Sequence, residues 1–249
     1  MIGFAIAEFA REAYCECAGL SPNRETIALV VKSIGEHAER SAQRAADGRP
    51  IACKEGCSHC CHMRVVATVP EVIAVANFIA RHFLGDAVEA TRKRVIETDE
   101  KTRGLSDEQW GVAHHACPLL VDGKCSVYAA RPLDCRGYNS TDVDACRAAA
   151  RDYLDWQVPM DGALTSAFKS AQAGILQALT GTGHQPRLVE MTAALRVIFE
   201  DPLAIGRWLG GENPFAGAEL DSSDPEQRAF LPWVPSDELR AAAAAEDSE

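Results

Sequence analysis

Four thiols fall within nine residues, at Cys53, Cys57, Cys60 and Cys61, with the spacing C-x3-C-x2-C-C. On a helix these positions would share one face about 100° wide. In a turn, Gly56 would supply the backbone freedom to wrap the thiolates around an ion. Either arrangement crowds sulfurs, and crowded thiolates repel unless a cation neutralises them. Zinc or iron does so, at about 2.3 Å for zinc to thiolate. A second group follows at Cys117, Cys125 and Cys135, with Cys146 beyond it. Cys117 and Cys125 flank Asp122-Gly123, a hairpin turn signal whose antiparallel pairing would bring their sulfurs near each other. Cys135 follows the Arg131-Pro132 break and is expected in an open loop. Two separated groups meeting at one ion would cross-link the fold, since neither alone need complete the coordination shell.

The order C-x3-C-x2-C-C, then C-P-L-L-x4-C-x-V-Y-x2-R-P-x2-C-R-x-Y, resembles the YkgJ-type cysteine cluster family over roughly Ala52 to Cys146. Flagellin lysine N-methylase carries a related module. The resemblance implies zinc or iron chelation by Cys53, Cys57, Cys60, Cys61, Cys117, Cys125, Cys135 and Cys146. It also draws in Arg131, Arg136 and Tyr138 as cofactor-binding candidates. A guanidinium beside thiolates offsets their charge, although a structural ion pair with a residue such as Asp134 or Glu71 is an equal alternative. The spacing matches neither the C-x2-C-x2-C run of ferredoxins nor the paired C-x2-C of zinc ribbons. Zinc, mononuclear iron and a [4Fe–4S] cluster therefore all stay open.

The remaining two thiols, Cys15 and Cys17, read as small core residues. His59 and His62 beside the first group, and His114 and His115 before Cys117, suit hydrogen bonding or exposure better than ligation. His37, His82 and His184 read as ordinary surface or core side chains. Glu71 reads as an acid favouring its helix N-terminus.

These side chains need positioning elements, and the apolar spacing supplies mostly helices. Ile2 to Cys17 forms a first helix. Ser21-Pro22 is expected to open a second, which Asp47-Gly48 ends. A β-prone stretch at Val65–Val69 leads into a helix from Pro70 to Phe83, and a fourth runs from Asp86 to before Gly104. Thr141 or Asp142 would cap a helix reaching Trp156, and further helices lie near Leu164–Leu179 and Leu188–Phe199. The fold class expected is mainly α, an irregular helical domain with a small β-hairpin and Cys-rich loops organised around a metal site. Its divisions are N-terminal helices over 1–50 and a cysteine-cluster core over 51–158. C-terminal helices over 159–205 pack on that core, and an irregular acidic tail occupies 206–249.

Charge and hydropathy narrow the function classes. The net charge is -11, and from Glu200 to Glu249 twelve acidic residues face three basic ones. That balance argues against a nucleic-acid partner. No run of eighteen apolar residues and no basic leader occurs, so neither a membrane partner nor export is expected. The cytoplasm, with reduced thiols, is the expected compartment. A metal ion is the one partner the residues suggest. Metal binding is the leading function, and the alternative is a metal- or Fe–S-dependent enzyme, lysine-methyltransferase-like or redox. A thiol redox sensor using adjacent Cys60 and Cys61 is a third reading. No glycine-rich strand-to-helix loop for a cofactor phosphate is present.

Overall fold

A computed structural model describes residues 2–45, 50–150 and 158–220. Helix α1 (Ile2–Gly19) buries Ile6, Ala10 and Tyr14 at four-residue spacing. Helix α2 (Arg24–Ala45) buries Ile27, Val31, Ile34, Ala38 and Ala42 on one stripe, the pattern an amphipathic helix needs. Its cap is not Ser21. Asn23 Oδ1 accepts from Glu25 N at 2.9 Å and Thr26 N at 3.1 Å, while Ser21 sits at φ 58°. The chain reverses at Ser21, so the capping oxygen comes two residues later than the Ser-Pro pair suggests. The expected end at Asp47-Gly48 lies outside the described residues.

Strand β1 (Val66–Thr68) feeds directly into α3 (Val69–His82), with Pro70 in its first turn and Thr68 as cap. Helix α4 (Asp86–Thr102) follows as expected, and then α5 (Asp107–Ala113), which the apolar spacing did not suggest. The signal for α5 lies in its cap: Ser106 Oγ accepts from Gln109 N, and Gln109 Oε1 accepts from Ser106 N. This reciprocal pair is a capping box. Strands β2 (Leu120–Val121) and β3 (Lys124–Cys125) form the expected hairpin, with Asp122 and Gly123 at φ 50° and 72°. Both positive angles are what a two-residue hairpin turn requires.

After Arg131-Pro132 the chain enters a short helix, α6 (Leu133–Gly137), so Cys135 is not in an open loop. Proline fixes the residue before the helix without needing an N–H there, and Leu133 is buried beneath it. Helix α7 (Val143–Ala149) is capped by Asp142, whose Oδ1 accepts from Asp144 N and Ala145 N. The expected reach to Trp156 falls on residues 151–157, which lie outside the described set. Helix α8 (Gly162–Gly181) runs through the centre of the fold. A Cβ on Gly174 would stand 2.1 Å from Ala7 O, so α1 and α8 meet at van der Waals contact of their backbones.

The stretch expected as a helix from Leu188 begins instead as β4 (Leu188–Glu190), antiparallel to β1 in the register Val66↔Glu190, Ala67↔Val189 and Thr68↔Leu188. Three residues are too few for an alternating pattern to register, and the partner strand is distant in sequence. Helix α9 (Met191–Glu200) follows, its cap Glu190 accepting from Thr192 N and Ala193 N. The chain beyond Pro202 is more ordered than expected: α10 (Ala204–Leu209) buries Trp208, and Phe215 is fully enclosed. Leu220 N donates to Leu188 O, fastening this segment to β4. The rest of the acidic tail, 221–249, lies outside the described residues. The described residues are thus mainly helical, with two small antiparallel sheets among them.

Candidate metal centre

The first cysteine group forms successive turns rather than a helix. Cys57 N donates to Lys54 O, Cys61 N to Ser58 O and Met63 N to Cys60 O, at 3.0, 3.0 and 3.2 Å. Gly56 takes φ 89°, the left-handed angle that the turn needs and most side chains resist. Two tethers bring this segment to the second group. Cys117 N donates to Cys61 O at 2.7 Å, and Ala52 N donates to Ser140 O at 2.7 Å. Ser140 N in turn donates to Cys53 Sγ at 3.2 Å. Trp110, from α5, anchors the end of the turns by donating Nε1–H to His62 O.

The result is a cavity of about 260 Å³ with Cys57, Cys60, Cys61, Cys117, Cys125 and Cys135 on its wall. Cys60 is the common neighbour, lying within electrostatic range of Cys53, Cys117, Cys125 and Cys135. Cys53 and Cys146 do not line the cavity. Cys53 is exposed and has Cys57, Cys60 and Cys146 as its charged neighbours. Cys15 and Cys17 stay on α1, packed against the core.

Burial makes the cavity thiols costly to ionise. The hydrogen bond that the protonated Cys60 thiol gives to Cys61, and then burial, push the Cys60 thiol up. Burial pushes Cys117 up to about 12 and raises Cys135 well above 9.0, with Asp134 adding to the latter. Low dielectric penalises a thiolate unless a cation shares the space. Among the described residues, no three His, Cys, Asp or Glu side chains stand as a ready-made ligating group. The thiols are spread around a wall instead of converging on one point.

Arg131 lines this wall, as do Arg64 and Lys169. The Arg131 guanidinium lies 3.6 Å above the Tyr128 ring, Nε donates to Tyr128 O at 3.2 Å, and its charge favours the Cys60 and Cys125 thiolates. Tyr138 also lines the cavity. Arg136 does not. It pairs with Glu39 on α2 at 2.6 Å, its guanidinium lies 5.3 Å from the Phe168 ring centroid, and it presses on Gly35. Within α6, Cys135 and Arg136 are successive residues whose side chains point about 100° apart, so Cys135 lines the cavity while Arg136 reaches Glu39. His62 stacks on His114 at 4.4 Å with its Nδ1 buried and unpartnered among the described residues. Burial, and then His114, push its imidazole pKa down. Neither ring lines the cavity.

Other wall residues carried no warning in the sequence. Asp134 approaches with Oδ2 accepting from Val66 N at 3.3 Å, and burial raises its carboxyl to about 6. Met63, Met160 and Met191 also line the cavity. Only Met63 had a positional hint, two residues past Cys61.

Residues 52–157 match the CxxCxxCC family, described as "Putative zinc- or iron-chelating domain". The matched segment spans less than half of the chain. It contains all eight clustered cysteines and the tethers that join them, whereas Met160, Met191 and Gln172 reach the cavity from outside the matched residues. No curated protein and no solved structure matches the chain. Among the described residues, no helix is long and apolar enough to cross a membrane.

Proposed function

We propose that the cavity chelates zinc or iron, with Cys57, Cys60, Cys61, Cys117, Cys125 and Cys135 as its ligand set and Cys53 and Cys146 as an outer pair beside Cys57. The observation that carries this reading is six thiols, delivered from separate segments of the matched residues 52–157, on one cavity wall. The donor set fits the chemistry: thiolate sulfur suits zinc and iron–sulfur centres, and Arg131 offsets part of the charge. Residues 51–158 then act as the metal-binding core, with the surrounding helices holding its wall in place.

The spread of the thiols favours more than one metal atom over a single tetrahedral ion. A lone zinc with bonds of about 2.3 Å needs four sulfurs around one point. A cavity of about 260 Å³ with no ready-made four-ligand group has room for a polynuclear centre, either several zinc ions or an iron–sulfur cluster.

Elemental analysis and acid-labile sulfide, measured on protein purified without oxygen, test both points. The expected result is zinc or iron retained in the unsubstituted chain and largely lost in Cys60→Ser and Cys125→Ser, with Cys15→Ser unchanged. Sulfide in step with iron assigns a cluster, and zinc without sulfide assigns a thiolate site. Folded, reduced protein that takes up neither metal would overturn the proposal.

A further inference from the structure

The cavity holds a second kind of sulfur. Met63, Met160 and Met191 all line it, and they are every methionine of the chain apart from Met1. They arrive independently: Met63 from the end of the cysteine turns, Met160 from the segment before α8, Met191 from the first residue of α9. Their exposure differs as well. Met160 is 44% exposed, while Met191 is 2% exposed. Sulfur donors therefore run from an exposed residue to a buried one.

Harder donors are scarce there. No histidine lines the cavity, and its single carboxylate, Asp134, already accepts from Val66 N. A thioether is a neutral, polarisable donor. It adds little to the binding of divalent zinc or iron, whereas thiolate and thioether together select monovalent copper. We propose that this cavity takes Cu(I), held by thiolates of the cysteine wall with the methionine thioethers as neutral co-ligands. The inference rests on the reading of the cavity as a metal site and names the ion for which its full sulfur set is suited.

Binding is a simple exchange. Each ligating thiol gives its proton to solvent as its sulfur bonds the ion, and copper stays Cu(I), so no electron moves. Thioethers complete coordination without adding further buried charge.

The alternative for any methionine is flexible packing of an irregular gap, and the experiment must separate the two. Selenomethionine-labelled protein is loaded with Cu(I) without oxygen, and absorption at the selenium edge is read for a copper neighbour. The expected result is a copper–selenium contact, absent in the Met63→Leu, Met160→Leu, Met191→Leu triple variant. Competition with a chromophoric Cu(I) chelator should show that variant losing on the order of tenfold in copper affinity, as loss of groups around a metal commonly does. Its zinc affinity should stay unchanged, which also reports that the volume-conserving swaps leave the wall intact. The selenium measurement on the unsubstituted chain stands even if the triple variant misfolds. Zinc or iron bound by the thiols with no copper–selenium contact overturns this inference alone. A chain that retains no zinc, iron or copper overturns the metal-site reading beneath it.

Discussion

Glu71 shows how much one side chain organises. It is 1% exposed, and its carboxylate takes four donors: Thr68 N, Thr68 Oγ1 and Gln172 Nε2 on Oε2, and Leu133 N on Oε1. All four come from residues outside α3, so the residue is a cap and also a clasp between β1, α6 and α8. Burial raises its carboxyl above the ordinary 4.5. The folded chain therefore holds this proton better than the unfolded one, and the stabilisation so gained fades as pH climbs above 4.5. Glu71→Ala should cost about 2–5 kcal/mol, because Thr68 N and Leu133 N are left without an acceptor in a buried place. Urea unfolding checks it; a loss below about 1 kcal/mol would mean that water replaces the carboxylate.

Among the elements, the junction of α1 and α8 is the least forgiving. At Gly174 an added Cβ would meet Ala7 O at 2.1 Å and Ala10 Cβ at 2.7 Å. The first of these is backbone and cannot rotate away. Gly174→Ala should force the helices apart and cost at least about 1–3 kcal/mol, despite alanine's better helix propensity. Gly19→Ala, which meets nothing within 4 Å, is the matched control and should be close to neutral. Thermal melts of the two variants give the comparison. Equal melting temperatures would show that the helices slide to relieve the contact. Legibility differed between elements for similar reasons. The Asp122-Gly123 hairpin and the cap at Asp142 depend on neighbours within a few residues, so their residue types announce them. The pairing of β1 with β4 depends on a partner more than a hundred positions away, and three-residue strands carry no usable period.

The behaviour of the whole molecule should turn on the buried thiols. Burial raises their pKa values, Cys117 from the ordinary 9.0 to about 12. A raised value stabilises the metal-free chain fully below pH 9.0, and that contribution is lost as pH rises toward 12. Metal reverses the preference, since each bound thiol must first lose its proton. Zinc affinity should accordingly climb between about pH 6 and about pH 8, with protons released on binding. Added metal should raise the melting temperature, by about 2.7 kcal/mol of stability at a hundred times the dissociation constant. Isothermal titration in buffers of different ionisation enthalpy counts the protons, and melts with and without a chelator read the stabilisation. Uptake with no proton release would show that the thiols are not the ligands.

Sequence alone determined the chemistry this protein brings. The C-x3-C-x2-C-C run, the later cysteines and the Arg131-Pro132 segment carry the likeness to the CxxCxxCC family over residues 52–157, and the apolar spacing makes the chain mainly helical. Both are local properties, set by residue type at fixed short intervals. Tertiary structure alone decided which side chains share a space. It turned Arg131 toward the thiols and Arg136 toward Glu39, left Cys53 and Cys146 off the cavity wall, and brought Met160 and Met191 onto it. Helix phase and long-range packing choose those directions, and neither is written in the spacing of the residues concerned.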